Sequence, residues 1–223
     1  MGNPFSPHIA FMIGPVPISM AVVTTWGIIV LLALLCWLSC RKLQINAGRW
    51  QSVLEILITG IDDQITQIID ENKVHFFPLI ATLFIFICLA NLIDIVPGLS
   101  SPTAVLETTA ALAVITFFSV HYVGIKSKGL LGYLKSFTEP NIILLPFTIL
   151  SQITRTFSMM VRLFGNMMSG QFLMGIILAF VGLLVPIPLM ILHVLISILQ
   201  AYIFTILATV FIAAAIAEDN KGD

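Results

Sequence analysis

The chain has 223 residues, is 59% hydrophobic and only 9% charged, and carries a formal net charge of −1. Soluble proteins average about 25% charged residues, so a soluble domain of this length is excluded, and the near-neutral balance argues against nucleic acid as a partner. What remains is an all-α polytopic membrane protein in contact with the lipid bilayer, one integral membrane domain over residues 1–223.

The first 20 residues hold several prolines and no basic run, which argues against a cleaved signal peptide. Residues 19–40 then form an apolar run of spanning length, ended by Arg41 and Lys42. Residues 48–70 differ. Trp50, Val53, Leu57, Ile61, Ile65 and Ile68 recur at helical spacing, with Glu55, Asp62, Asp63 and Gln67 between them. That pattern predicts an amphipathic helix at the membrane interface or against a partner. Residues 76–96 form a second span closed by Pro97 and Gly98, and residues 106–125 a third, followed by Lys126, Lys128 and Lys135.

The basic residues set the orientation. Arg41, Lys42 and Arg49 follow the first span, and Lys126, Lys128 and Lys135 follow the third, so both loops belong on the cytoplasmic side. The N-terminus and the 97–103 loop then face outward. No proline occurs between Pro146 and Pro186. About 40 helical residues reach roughly 60 Å, twice the hydrocarbon thickness. The 141–184 segment is therefore either two spans turning at Gly165-Asn166 or one long, strongly tilted helix. After Pro186 a further apolar stretch covers 187–217. The count is five spans or six, and five places the C-terminus in the cytoplasm.

Cys36, Cys40 and Cys88 lack metal-ligand spacing and read as small apolar fillers. There is no phosphate loop, no zinc motif and no nucleophile elbow, so neither metal, cofactor nor catalysis by the chain alone is expected. The informative residue is Arg162. Within 141–217 the charged side chains are Arg155 and Arg162 alone. An arginine cannot shed its proton, and at bilayer depth it costs about 2.5–3.5 kcal/mol on insertion scales. No acid close in sequence compensates it. Arg162 therefore predicts a negative charge presented from elsewhere in the chain or from another chain.

On a helix, Arg155, Ser158, Arg162, Gly165, Asn166 and Ser169 share a polar, small-residue face. Gln171, nine positions after Arg162, points to the opposite side. On the following helix His193, Ser197 and Gln200 form a polar stripe at i, i+4 and i+7, suited to a water or proton path. Asp94 at the end of the second span, with Asn91 one turn before it, and Glu107 at the start of the third could line an outward vestibule. A lone structural histidine, a snorkelling Arg155 and solvated interfacial acids are the plainer readings of these groups.

The run Arg162-Leu163-Phe164-Gly165-Asn166-Met167, followed by Ser169-Gly170, resembles the signature of subunit a, the membrane stator of rotary F-type ATP synthases. Asn91-Leu92-Ile93-Asp94-Ile95-Val96-Pro97 resembles its second-span motif, and His193 with Gln200-Ala201-Tyr202 its last-helix pattern. The sequence at residues 4–8 and 14–18, with that at 106–112, is most similar to the N-type subclass. The resemblance implies five transmembrane helices, the last two long and strongly tilted against a ring of c subunits. It implies that Arg162 faces the ring carboxylates, displaces H+ or Na+ as each site arrives, and blocks a leak between two offset half-channels. Asn166, Gln171, His193, Ser197 and Gln200 would line the external half-channel, with Asp94, Glu107, Asn91 and Ser169 as weaker candidates. Gln171 departs from the family pattern, because many bacterial members have a glutamate there paired with the histidine. An amide cannot carry a proton as a carboxyl can. The implied partners are the c-subunit ring, a b-type peripheral stalk subunit and the rest of the complex, in a prokaryotic inner membrane. A secondary transporter is the alternative class, but residues 19–125 and 141–217 show no inverted repeat. A purely structural scaffold would leave Arg162 and the His193–Gln200 stripe unexplained.

Overall fold

The computed structural model describes residues 9–13, 16–41, 49–69, 73–96, 99, 101–138, 143, 145–181 and 186–217. Residues 4–8, the Gly14-Pro15 pair, Lys42, Pro97 and the ends of the 141–184 segment lie outside them. Among the described residues, five helices are long and apolar enough to cross a membrane.

A two-stranded antiparallel hairpin precedes the first helix: β1 (Ile9–Ile13) pairs with β2 (Val16–Ser19), with Met12 opposite Pro17 and an irregularity between Ile9 and Phe11. Periodicity gave no sign of it, because the strands are too short to alternate clearly. Helix α1 (Met20–Cys40) follows at once. It meets the bundle through Ala21, Thr24 and Ile28. Beyond them Ile29, Val30, Leu34 and Trp37 are exposed, so α1 leans on its neighbours only over its first turns.

Helix α2 (Arg49–Thr66) is the expected amphipathic element, but only half of its apolar face is covered. Ile61 and Ile65 are buried, whereas Val53, Ile56, Leu57 and Ile58 stand exposed. The covered half packs with Ile69 against Ile80, Val120 and Ile212. Tyr202 donates its hydroxyl to Gln64 Oε1 at 2.8 Å, tying α2 to the last helix.

Helix α3 (Lys73–Leu92) tightens into a 3-10 turn at Ile93–Ile95. Val96 is extended, the conformation that a following proline imposes. A second 3-10 turn, Pro102–Ala104, is wholly buried and packs against α3, the next helix, α4 (Leu106–Thr138), and the one after it, α5 (Leu145–Val181). The third span therefore does not stop at residue 125 as expected. Lysine is a good helix former, so Lys126 and Lys128 do not end α4. The backbone breaks instead at Gly129, whose φ of 73° and ψ of 163° suit only glycine. Past this break Tyr133 folds back onto Gly124, where an added methyl group would overlap its ring.

Helix α5 (Leu145–Val181) passes through Gly165-Asn166 without interruption, which decides for one long helix and five spans. Its 37 residues reach about 55 Å, so a single crossing leaves it strongly inclined or projecting beyond the hydrocarbon. Helix α6 (Pro186–Ala217) begins with proline at its first position, where no N–H is needed. It is the central element, in contact with α3, α4 and α5. Ala201, Phe204 and Ala208 of α6 meet Leu83 and Ile87 of α3, Leu112 of α4, and Met159 and Leu163 of α5. Small residues on α6 let these helices approach closely. Its buried Thr205 and Thr209 are satisfied by carbonyls one turn back.

Candidate functional site

The buried strip of α5 is narrow: Met159, Leu163 and Met167 point inward. The opposite face is uncovered, and Ser158, Arg162, Gly165 and Ser169 lie on it beside exposed Ile153, Phe157 and Val161. The polar, small-residue face expected from the sequence is therefore the open face of α5. Among the described residues no acid pairs with Arg162. Arg155 is exposed too, but its guanidinium lies 5.3 Å from the ring centroid of Phe211 on α6, a cation–π distance. The two arginines have different surroundings.

A second group sits where α3 ends against α5 and α6. Gln171 donates from Nε2 to Asp94 Oδ1 at 2.7 Å. The other carboxylate oxygen, Asp94 Oδ2, lies 3.5 Å from His193 Nε2. That is ion-pair range without hydrogen-bond alignment. The two side chains are 15% and 13% exposed, so this carboxylate and imidazole are largely withdrawn from solvent. The His193 ring lies directly over Gly170, where a Cβ would overlap it. Asn166, Ser169, Gly170 and His193 line a crevice of about 290 Å³ between α5 and α6. The remaining lining, including Leu173, Leu192 and Ile196, is apolar. The crevice shares Asn166 and Ser169 with the polar strip that carries Arg162. Buried Asn166 Nδ2 has no hydrogen-bond partner among the described residues. The crevice is mainly apolar with a polar edge of Asn166, Ser169 and His193, and that edge offers hydrogen-bonding groups beside a carboxylate–imidazole pair.

The other expected site residues are distributed differently. Ser169 is exposed and donates to the Asn166 carbonyl at 3.1 Å. Ser197 is buried, its hydroxyl 3.9 Å from Met167 sulfur. Gln200 is 6% exposed with its Nε2 unpartnered among the described residues. Asn91 is 1% exposed and engaged at both ends of its amide: its Nδ2 donates to the Ser197 carbonyl at 3.2 Å and its Oδ1 accepts from Thr103 at 2.6 Å. Glu107 stands exposed in the first turn of α4, where the helix dipole favours a carboxylate, and no hydrogen bond or ion pair joins it to the Asp94 group.

Asp94, given a lesser place from the sequence, is the residue that joins Gln171 to His193. The signal available was its position in the last turn of an apolar span, where a carboxylate must find partners. Gly170 enters the sequence reading only within the Ser169-Gly170 pair of the family run, and Thr103 only as the end of the 97–103 loop, neither with a role of its own. The Ser101-Pro102-Thr103 run in so apolar a chain is the trace of Thr103 in the sequence.

The family model for the ATP synthase A chain matches residues 22–213. The chain is 52% identical over 220 residues to ATP synthase subunit a 2 of Bradyrhizobium sp. strain BTAi1, covering 99% of both chains. It is 44% identical over 213 residues to ATP synthase subunit a of Legionella pneumophila strain Philadelphia 1, covering 95% of this chain and 93% of that one. It is 47% identical over 210 residues to ATP synthase subunit a 1 of Chlorobaculum parvum, covering 93% of each.

Proposed function

Since this chain belongs to the ATP synthase A chain family, we propose that it is the ion-translocating stator of the membrane sector of an F-type ATP synthase. It has no catalytic site of its own, and ATP synthesis or hydrolysis belongs to the assembled complex. The observation that carries the reading is Arg162, a permanent cation on the uncovered face of a 37-residue apolar helix. Such a charge requires a negative partner, and the carboxylates of a c-subunit ring passing along α5 supply one. Each carboxylate meeting Arg162 gives up its H+ or Na+, because the guanidinium replaces the bound cation. The same charge repels a cation moving straight across.

The outer half-channel runs from Asp94, Gln171 and His193 through the α5–α6 crevice to Asn166 and the ring. The acid beside the histidine is Asp94, supported by their 3.5 Å separation. Gln171 orients that carboxylate by its 2.7 Å bond and does not itself carry the proton. A second, inner half-channel completes the path to the cytoplasm. The N-terminus lies outside and the C-terminus inside a prokaryotic inner membrane, in keeping with Arg41 and Lys126 at the same side. The uncovered apolar half of α2 is the contact for the b-type peripheral stalk or for the membrane interface.

The test is ATP-driven ion uptake into vesicles holding the whole complex, with and without sodium, comparing wild type with Arg162→Ala. The variant should assemble and lose uptake. Uptake that survives a protonophore and requires sodium identifies Na+ as the ion; acidification without sodium identifies H+. Normal pumping by the variant in both media overturns the assignment of Arg162.

A further inference from the structure

Helices α3 and α6 run antiparallel, and two polar contacts join them one turn apart. One is Asp94 with His193 at 3.5 Å. The other is the Asn91 amide donating to the Ser197 carbonyl at 3.2 Å. Asn91 lies three residues before Asp94, and Ser197 four residues after His193. The two contacts are therefore about 4.5–6 Å apart along the helices. The second contact is braced from the loop. Thr103 donates to Asn91 Oδ1 at 2.6 Å, which leaves Nδ2 as the end of the amide that faces α6. Ser101 lies 2.6 Å from the Thr103 hydroxyl and 2.7 Å from the Ala90 carbonyl. Ser101 and Thr103 are wholly buried. In an apolar setting a hydrogen bond between two helices fixes their sliding position, because a shift leaves buried polar groups unpaired.

We infer that Asn91, braced by Thr103 and Ser101, is a positioning residue that sets the register of α3 on α6 and so the separation of Asp94 from His193. This inference rests on the outer half-channel reading above and adds to it a structural clamp outside the ion path. Asn91 is not a lining residue in this view, since both ends of its amide are engaged within the protein. The buried 3-10 turn Pro102–Ala104 thereby acquires a role in ion access: it carries the threonine that orients the clamp.

The experiment measures pumping by the complete complex in inverted vesicles as a function of pH without sodium, and of sodium at fixed pH. Thr103→Val keeps the shape of the side chain and removes the hydroxyl. It should move the pH profile by about half a unit, or half-saturating sodium about threefold, in the same sense as Asp94→Asn. Thr103→Ser should keep the wild-type profile. A lower rate or yield for Thr103→Val with an unmoved profile overturns the inference, because a merely stabilising network predicts that result. If Thr103→Val does not assemble, Ser101→Ala takes its place and should give a smaller shift, an unmoved profile again counting against the clamp. If Asp94→Asn shifts the profile and neither loop variant does, only the clamp falls. If Asp94→Asn leaves the profile unmoved, the outer half-channel reading falls and takes the clamp with it.

Discussion

Arg155 and Arg162 are separated by two turns of one helix, yet the fold treats them differently. Arg155 rests over Phe211, while Arg162 stands on the open face with no acid paired to it among the described residues. Under the stator reading Arg155→Ala removes a cation–π contact of about 0.5–2 kcal/mol and should leave most pumping intact, measured in the same vesicles as Arg162→Ala. Equal loss in both variants would mean that the essential charge had been assigned to the wrong residue. Gly170 gives a steric prediction. A methyl group there would overlap the His193 ring, and overpacking of this kind costs about 1–3 kcal/mol unless the ring moves. Gly170→Ala should lower pumping severalfold, and the double variant Gly170→Ala, His193→Ala should pump no worse than His193→Ala alone. Additive losses in that cycle would show that Gly170 matters for another reason. The sequence made Arg162 legible because a charge in an apolar run has few explanations. It left the Asp94–Gln171–His193 group open, because residues 77 and 99 positions from Asp94 come together only through the packing of three helices.

At the scale of elements, apolar composition located each span, but its ends and continuity depended on backbone chemistry that composition does not register. Gly165 and Asn166 permit a turn, yet α5 continues through them, since a helix flanked by packed Leu163 and Met167 keeps its hydrogen bonds. In α4 the sequence places the end of the span at residue 125, before the charge begins at Lys126, whereas the break falls at Gly129, where the conformation demands glycine. Gly129→Ala should therefore destabilise this region by about 1–3 kcal/mol, read as a lower thermal transition of the purified complex or greater protease sensitivity of α4. An unchanged transition would indicate that the break is not held in place by its surroundings. The amphipathic pattern predicts a two-faced helix over residues 48–70, and the structure has a helix at Arg49–Thr66. The pattern did not reveal that Ile61 and Ile65 dock while Val53 and Ile56 remain uncovered, because one continuous stripe can meet two different surroundings.

For the whole molecule, the consequence of this packing is a long helix with one side left open. A cysteine placed at Ser158 or Ser169 should react with a soluble or membrane-permeant thiol reagent in the isolated chain and become shielded in the complete complex. One placed at Leu163 should be unreactive in both. Reactivity of position 163, or no shielding of 158 and 169 on assembly, would show that a different face of α5 meets the ring. The sequence by itself determined the membrane class, the apolar segments, the polar face of α5 and the family resemblance, since these depend on composition and on spacing along one chain. Tertiary structure alone decided that the carboxylate beside His193 is Asp94 and that the Asn91 amide is held between Thr103 and the Ser197 carbonyl. Each of these depends on contacts between helices far apart in sequence, and the register of such contacts is set by how side chains interlock and not by the order in which they occur.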